Sequence, residues 1–191
     1  MKTYYFLSLI SLFILCCCAP KKDLASARWE LNQTTGFPSQ EEGIENGVSA
    51  CYAGALGDKL IMAGGCNFPD VPASEGGKKK FYKGIYAADI TADSVLNWRK
   101  VGELPLASAY GVAAVYNDRL ICAGGADGAR SLTDVFSVRL KVDAWNTVIR
   151  SSRLARAGAV LVSGGNDSFY NINGELKPGI RTPEITRIWL K

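Results

Sequence analysis

The chain contains no histidine. That absence excludes the Ser-His-Asp and Cys-His nucleophile systems and every zinc site that needs imidazole, so any catalysis falls to carboxylates, Lys, Arg, Tyr or Cys. Cysteine is present, but not as a complete disulfide framework. Cys16, Cys17 and Cys18 are consecutive, while Cys51, Cys66 and Cys122 are scattered, odd in number and without C-x-x-C spacing. This predicts free thiols in or beside strands, with a Cys51–Cys66 bridge as the alternative. No basic run is interleaved with aromatics, and the formal charge is only +4, or +3 without Lys2, so nucleic acid is not an expected partner. The long uncharged run Tyr4 to Leu15 is short for a membrane span. What is there, 191 residues of which 48% are hydrophobic and 21% charged, with 20 glycines, suffices for one globular unit with a real core.

Lys2 followed by the apolar run reads as a secretion leader over residues 1–18, with 19–27 as a tether and 28–191 as the folded domain. The run L-F-I-L-C-C-C-A-P also resembles a bacterial lipoprotein signal, which implies Cys17 or Cys18 as the lipid-bearing residue; an ordinary cleaved signal is the alternative. Either predicts export, to the periplasm or to the outer membrane through a lipid anchor.

The rest of the chain is repetitive. Gly47 to Ala55, a Gly57-Asp58 turn and Leu60-Ile61-Met62-Ala63 end in Gly64-Gly65. Tyr110 to Tyr116, an Asn117-Asp118 turn and Leu120-Ile121-Cys122-Ala123 end in Gly124-Gly125. Each copy reads as a short apolar hairpin, then a third strand (Gly84 to Ile90, Asp134 to Leu140) and a tryptophan strand around Trp98 or Trp145. Four strands, a diglycine and a late Trp form the pattern of a kelch repeat, whose sheets are β-propeller blades. The fold class is therefore all-β, a kelch-type propeller of about three four-stranded blades. The first copy carries an insertion, Cys66 to Lys83, whose Pro, Gly and Lys content suits a long loop where ligand-binding segments tend to sit; a merely solvated loop is equally compatible.

A third copy has Ala157 to Val162 and Ser168 to Asn173 as its hairpin, with Gly164 to Asp167 as the turn. Gly174-Glu175 then falls where the other copies have their diglycine, which puts a carboxylate at a crowded glycine position and calls for a partner or a ligand. Ile185 to Leu190 supplies a third strand. Arg28-Trp29-Glu30-Leu31 parallels Asn97-Trp98-Arg99-Lys100, so the N-terminal strand is expected to complete the C-terminal blade. Within Asn173 to Thr182, N-G-E-L-K-P-G-I-R-T, the Pro178-Gly179 turn folds Glu175 and Arg181 toward each other, either as a stapled hairpin or as a polar site.

The stretches G-D-K-L-I-M-A-G-G, K-G-I-Y-A-A-D-I, A-S-A-Y-G-V-A-A-V and I-N-G-E-L-K-P-G-I-R-T resemble the N-acetylneuraminate epimerase (sialic acid mutarotase) family, in the part order of its cyclically permuted branch. The resemblance implies interconversion of the α and β anomers of a sialic acid, with Glu175 and Arg181 as the catalytic and substrate-binding pair and no metal or organic cofactor. A non-catalytic kelch module binding a glycan or a protein is the alternative. Lys80, Tyr82 and Lys83 are candidate substrate contacts from their place in the insertion. The family's ring has six blades and this chain encodes about half of it, so the expected outcomes are a homodimer of half-rings, a distorted compact form or an unstable remnant with impaired activity, since an open arc exposes blade faces.

Overall fold

The computed structural model describes residues 28–36, 41–91, 95–141, 144–151 and 155–189. The leader, the tether and both candidate lipidation cysteines, Cys17 and Cys18, lie outside the described residues. The chain divides into two units, Met1–Leu31 and Asn32–Lys191. In the first, Arg28–Leu31 forms no strand.

The second unit is all-β apart from two single 3-10 turns among the described residues. In chain order, β1 is Gln33–Thr35, β2 Tyr52–Leu56, β3 Lys59–Ala63, β4 Cys66–Asn67, β5 Lys80–Phe81, β6 Gly84–Asp89 and β7 Val95–Glu103. They are followed by β8 Val112–Tyr116, β9 Arg119–Ala123, β10 Asp134–Lys141, β11 Ala144–Ser151, β12 Val160–Gly165, β13 Ser168–Ile172, β14 Glu175–Lys177, β15 Ile180–Arg181 and β16 Ile185–Trp189. Three large sheets result, ordered β1-β7-β6-β3-β2, β11-β10-β9-β8 and β12-β13-β16, with the short pairs β4-β5 and β14-β15 beside them. These are successive propeller blades. The hairpin turns fall where turn chemistry placed them: Gly57, Asn117, Asn166 and Asp167 all take positive φ, which Gly and Asn accept at low cost.

Arg28–Leu31, expected as the last strand of the C-terminal blade, forms no strand; the nearby strand pairs elsewhere. Gln33–Thr35 pairs in parallel with Val95–Asn97 of β7, adding a fifth strand to the first blade, and the third blade has three strands among the described residues. A free β edge takes a partner that is near in space, and β7 offers the N-terminal segment its open side.

The core lies between the first and second blades. Period-two alternation sends Tyr52, Leu56, Ile61, Ala63, Ile85 and Ala87 toward Leu120, Cys122, Phe136 and Val138. Tyr52 meets Phe136 edge-on with ring centroids 5.1 Å apart, and its hydroxyl donates to the Gly124 carbonyl of the next blade at 2.7 Å. Gly54 must be small here, since a Cβ on it would sit 2.6 Å from Leu120 Cδ1. Cys51, Cys66 and Cys122 are free, in line with the odd count, and burial raises the Cys122 thiol well above its ordinary pKa.

The two ends of the blade row differ. The far face of the first blade is covered by the segment around Ile44, which packs with Tyr82, Tyr86, Val48, Met62 and Trp98. The Glu41 carboxylate fixes that cover by accepting from Gly84 N at 2.9 Å and Tyr86 Oη at 3.0 Å. On the third blade Val160, Val162, Ile185 and Trp189 remain exposed.

A charge cluster at the end of β7 can be checked in solution. Glu103 contacts Lys83 Nζ at 2.6 Å and Lys100 Nζ at 2.7 Å, and these hydrogen bonds hold its carboxyl down to about 2 from the usual 4.5. A depressed carboxylate stabilises the fold above its unfolded pKa, so this contribution is lost as pH falls from 4.5 through about 2. The Glu103 carboxyl carbon should titrate in NMR near the lower value, and Lys83→Met should raise it. A midpoint at the ordinary value in the unsubstituted protein would contradict the cluster.

Candidate functional site

Each blade ends its second strand in the same backbone corner. Gly64 and Gly65 have φ of 62° and 105°, Gly124 and Gly125 have 64° and 108°, and Asn173 and Gly174 have 58° and 105°. The next residue then exchanges two backbone hydrogen bonds with the strand entering the blade: Cys66 with Ser49, Ala126 with Ala109, Glu175 with Ala157. Glu175 is thus the counterpart of Cys66 and Ala126, and does not replace a repeat glycine as the sequence suggested. Asn173 takes the first glycine's place, because a short polar side chain tolerates the left-handed region better than most. The carboxylate therefore emerges one residue beyond the crowded corner.

From there β14 and β15 form a small hairpin. Glu175 and Arg181 stand directly opposite each other, with a register shift before Lys177 and Gly179 at φ 79° closing the turn. Arg181 Nε lies 3.6 Å from Glu175 Oε1, with the Glu side chain 33% exposed and the Arg side chain 82% exposed. A single long contact between solvated groups does little for stability, and it leaves most of the guanidinium's five donors free for an incoming acceptor. The pair borders a cleft of about 540 Å³ whose other walls include Gly158, Asn173, Thr182 and Pro183. Arg156, next to the Ala157 that pairs with Glu175, is 1% exposed. Its backbone bonds to Gly125 and Leu132 of the second blade, and its Nη2 donates to Glu184 Oε2 at 2.8 Å, tying the cleft's rim to the neighbouring blade. Nothing in the local sequence marks Arg156, since its burial comes from contacts between blades.

The insertion is better ordered than a free loop, because β4 and β5 pair across its base. The structure does not bring Lys80, Tyr82 or Lys83 to the cleft. Lys80 Nζ donates to the Glu42 carbonyl at 2.6 Å, Tyr82 is buried with its hydroxyl donating to Asn67 Oδ1 at 2.8 Å, and Lys83 pairs with Glu103. Their neighbours meet Tyr110 instead: Lys79 Nζ donates to Tyr110 Oη at 2.7 Å and Phe81 meets the Tyr110 ring at 6.4 Å. Among the described residues no group of three or more His, Cys, Asp or Glu could hold a metal ion.

Consecutive blades with repeated corners, and an acid–cation pair at the mouth of one of them, define a β-propeller protein with a polar surface cleft. Residues 20–144 match the family model of N-acetylneuraminate epimerase, and the chain belongs to that family. The N-acetylneuraminate epimerase of Pasteurella multocida (strain Pm70) is 32% identical over 118 residues, covering 56% of this chain and 29% of that protein. N-acetylneuraminate epimerase 2 of Escherichia coli O6:H1 (strain CFT073) is 36% identical over 101 residues, covering 50% and 27%. The solved structure of YjhT superposes with a TM-score of 0.60 at 18% identity, over 74% of this chain and 49% of that one. The chain thus matches less than a third of the length of these curated relatives and about half of the YjhT chain. The family-model match ends at residue 144, ahead of Glu175 and Arg181.

Proposed function

We propose that the protein acts on a sialic acid as a mutarotase, interconverting its α and β anomers through the open-chain keto form. The observation that carries this is the placement of Glu175 opposite Arg181 on the edge of a surface cleft in a chain of the N-acetylneuraminate epimerase family. Arg181 holds the sugar's carboxylate, which is bonded to the anomeric carbon, in the bidentate geometry a guanidinium favours. Glu175 removes the proton of the anomeric hydroxyl as the bond from the anomeric carbon to the ring oxygen breaks, and a proton is delivered to that ring oxygen. Rotation of the open chain presents the other face of the new carbonyl, and the reverse transfers close the ring as the opposite anomer. The net reaction consumes no proton and no electron.

The test is to follow freshly released α anomer by proton NMR. With the protein present, relaxation to the equilibrium mixture should be faster, and Arg181→Met should require about tenfold or more sugar to reach the same rate, the loss expected for a charge-assisted hydrogen bond. Saturable binding with unaltered relaxation would support a non-catalytic binding module and refute the mutarotase. Export on a lipid anchor belongs to the same proposal: a mature N-terminal peptide carrying a diacylglyceryl group on Cys17 or Cys18 supports it, and an unmodified cysteine there opposes it.

A further inference from the structure

We infer that Lys79, Phe81 and Tyr110 form a second half of the sugar site, a cationic and aromatic shelf that takes the acetamido group of the substrate. The inference rests on the sialic acid reading and goes beyond it by naming which part of the sugar is discriminated.

The three residues reach the same end of the propeller as Glu175 by construction. Phe81 pairs with Cys66 as Arg181 pairs with Glu175, and Cys66 and Glu175 are counterparts, so Phe81 stands in the first blade where Arg181 stands in the third. Tyr110 occupies the corner held by Ala50 in the blade before and Gly158 in the blade after, with φ values of 63°, 56° and 60°. Its N–H donates to the Ala50 carbonyl at 2.9 Å and its carbonyl accepts from Gly158 at 2.7 Å. Gly158 lines the cleft, and its neighbour Ala157 pairs with Glu175. Tyr110 is therefore two strand spacings from Glu175, about 10 Å between backbones, close to the span of a nine-carbon sugar acid lying across the mouth.

An aromatic residue in the left-handed region is a costly choice at a position where alanine and glycine serve elsewhere. It is held there by Lys79, which also lies 5.3 Å from the Phe68 ring centroid and 4.9 Å from that of Tyr110. A Cβ on Gly128 would sit 2.9 Å from Phe81 Cε2, so the second blade stays small where the Phe81 ring passes. Lys79 is exposed and Phe81 and Tyr110 are half-buried, and one hydrogen bond to Tyr110 leaves two ammonium protons for a ligand. An amide fits this surface, its methyl against the rings and its oxygen toward the ammonium. With the carboxylate on Arg181 beside the anomeric carbon, the acetamido group, carried across the sugar ring, is the group that reaches the shelf.

The experiment compares dissociation constants for N-acetylneuraminate and for its analogue with hydroxyl in place of acetamido. The wild-type chain should prefer the acetylated sugar by about tenfold, a typical value for one apolar contact. Tyr110→Ala, which Ala50 shows the backbone accepts, and Lys79→Met should each reduce that ratio to within about twofold. Lys79→Met decides the matter if Tyr110→Ala lowers the melting temperature. Unchanged ratios in folded variants, or a wild-type protein indifferent to the acetamido group, overturn the shelf and leave the roles of Glu175 and Arg181 standing. A wild-type protein that binds neither sugar overturns both.

Discussion

Glu175→Gln should slow protein-assisted anomer exchange by about 10²- to 10⁴-fold, the usual contribution of a positioned acid or base, while the sugar still binds. Glutamine keeps the shape and one hydrogen-bond acceptor but cannot take up or release the proton. The backbone bonds between Glu175 and Ala157 are untouched by the change, and the contact with Arg181 is long and solvated, so the hairpin should persist. Rates measured by proton NMR at saturating sugar, with circular dichroism to check the fold, would establish the effect. A variant with the wild-type rate would remove Glu175 from the chemistry.

The second large effect is on stability. Tyr52→Ala should lower it by about 3–5 kcal/mol, the range for deleting a buried aromatic ring, and lower Tm by about 10 °C for a chain of this size. Tyr52 is fully buried and joins two blades at once, through its ring on Phe136 and its hydroxyl on the Gly124 carbonyl. Around it the chain leaves room on purpose: a Cβ on Gly111 or Gly125 would collide with the Tyr52 ring or hydroxyl. Tyr52→Phe keeps the packing and should cost only about 1–3 kcal/mol, for a carbonyl left without its donor. A Tm change below 2 °C for the alanine variant, by scanning fluorimetry, would mean that the blades are not joined through this residue.

Hairpins, diglycine corners and tryptophan strands were legible in the sequence because each depends on local chemistry: a turn needs its Gly or Asn, and a strand buried on one face alternates. Three features were not, for different physical reasons. The N-terminal segment could be matched to a blade strand by its tryptophan, but which open edge it joins depends on distance, and Gln33–Thr35 lies along β7. Glu175 could be set near the repeat corner but was placed one residue off, because Asn173 adopts a φ of 58° that was expected of glycine. The insertion was read as a long loop, whereas Cys66 and Asn67 pair with Phe81 and Lys80 across its base, a contact between residues far apart in the chain that no local turn signal marks. There Lys80 bonds to the Glu42 carbonyl and Tyr82 to Asn67, whereas Lys79 and Phe81 turn to Tyr110. The facing of Glu175 and Arg181 was legible for the opposite reason, since the Pro178-Gly179 turn sets that register locally.

If the cleft beside Glu175 and Arg181 opens and recloses the sugar ring as proposed, it must speed exchange between the anomers even at equilibrium. The most direct measurement is magnetisation exchange between the α and β proton signals of N-acetylneuraminate already at equilibrium, with and without a catalytic amount of the protein. Exchange cross-peaks that grow with protein concentration are the predicted result; cross-peaks no stronger than those of the sugar alone would contradict it.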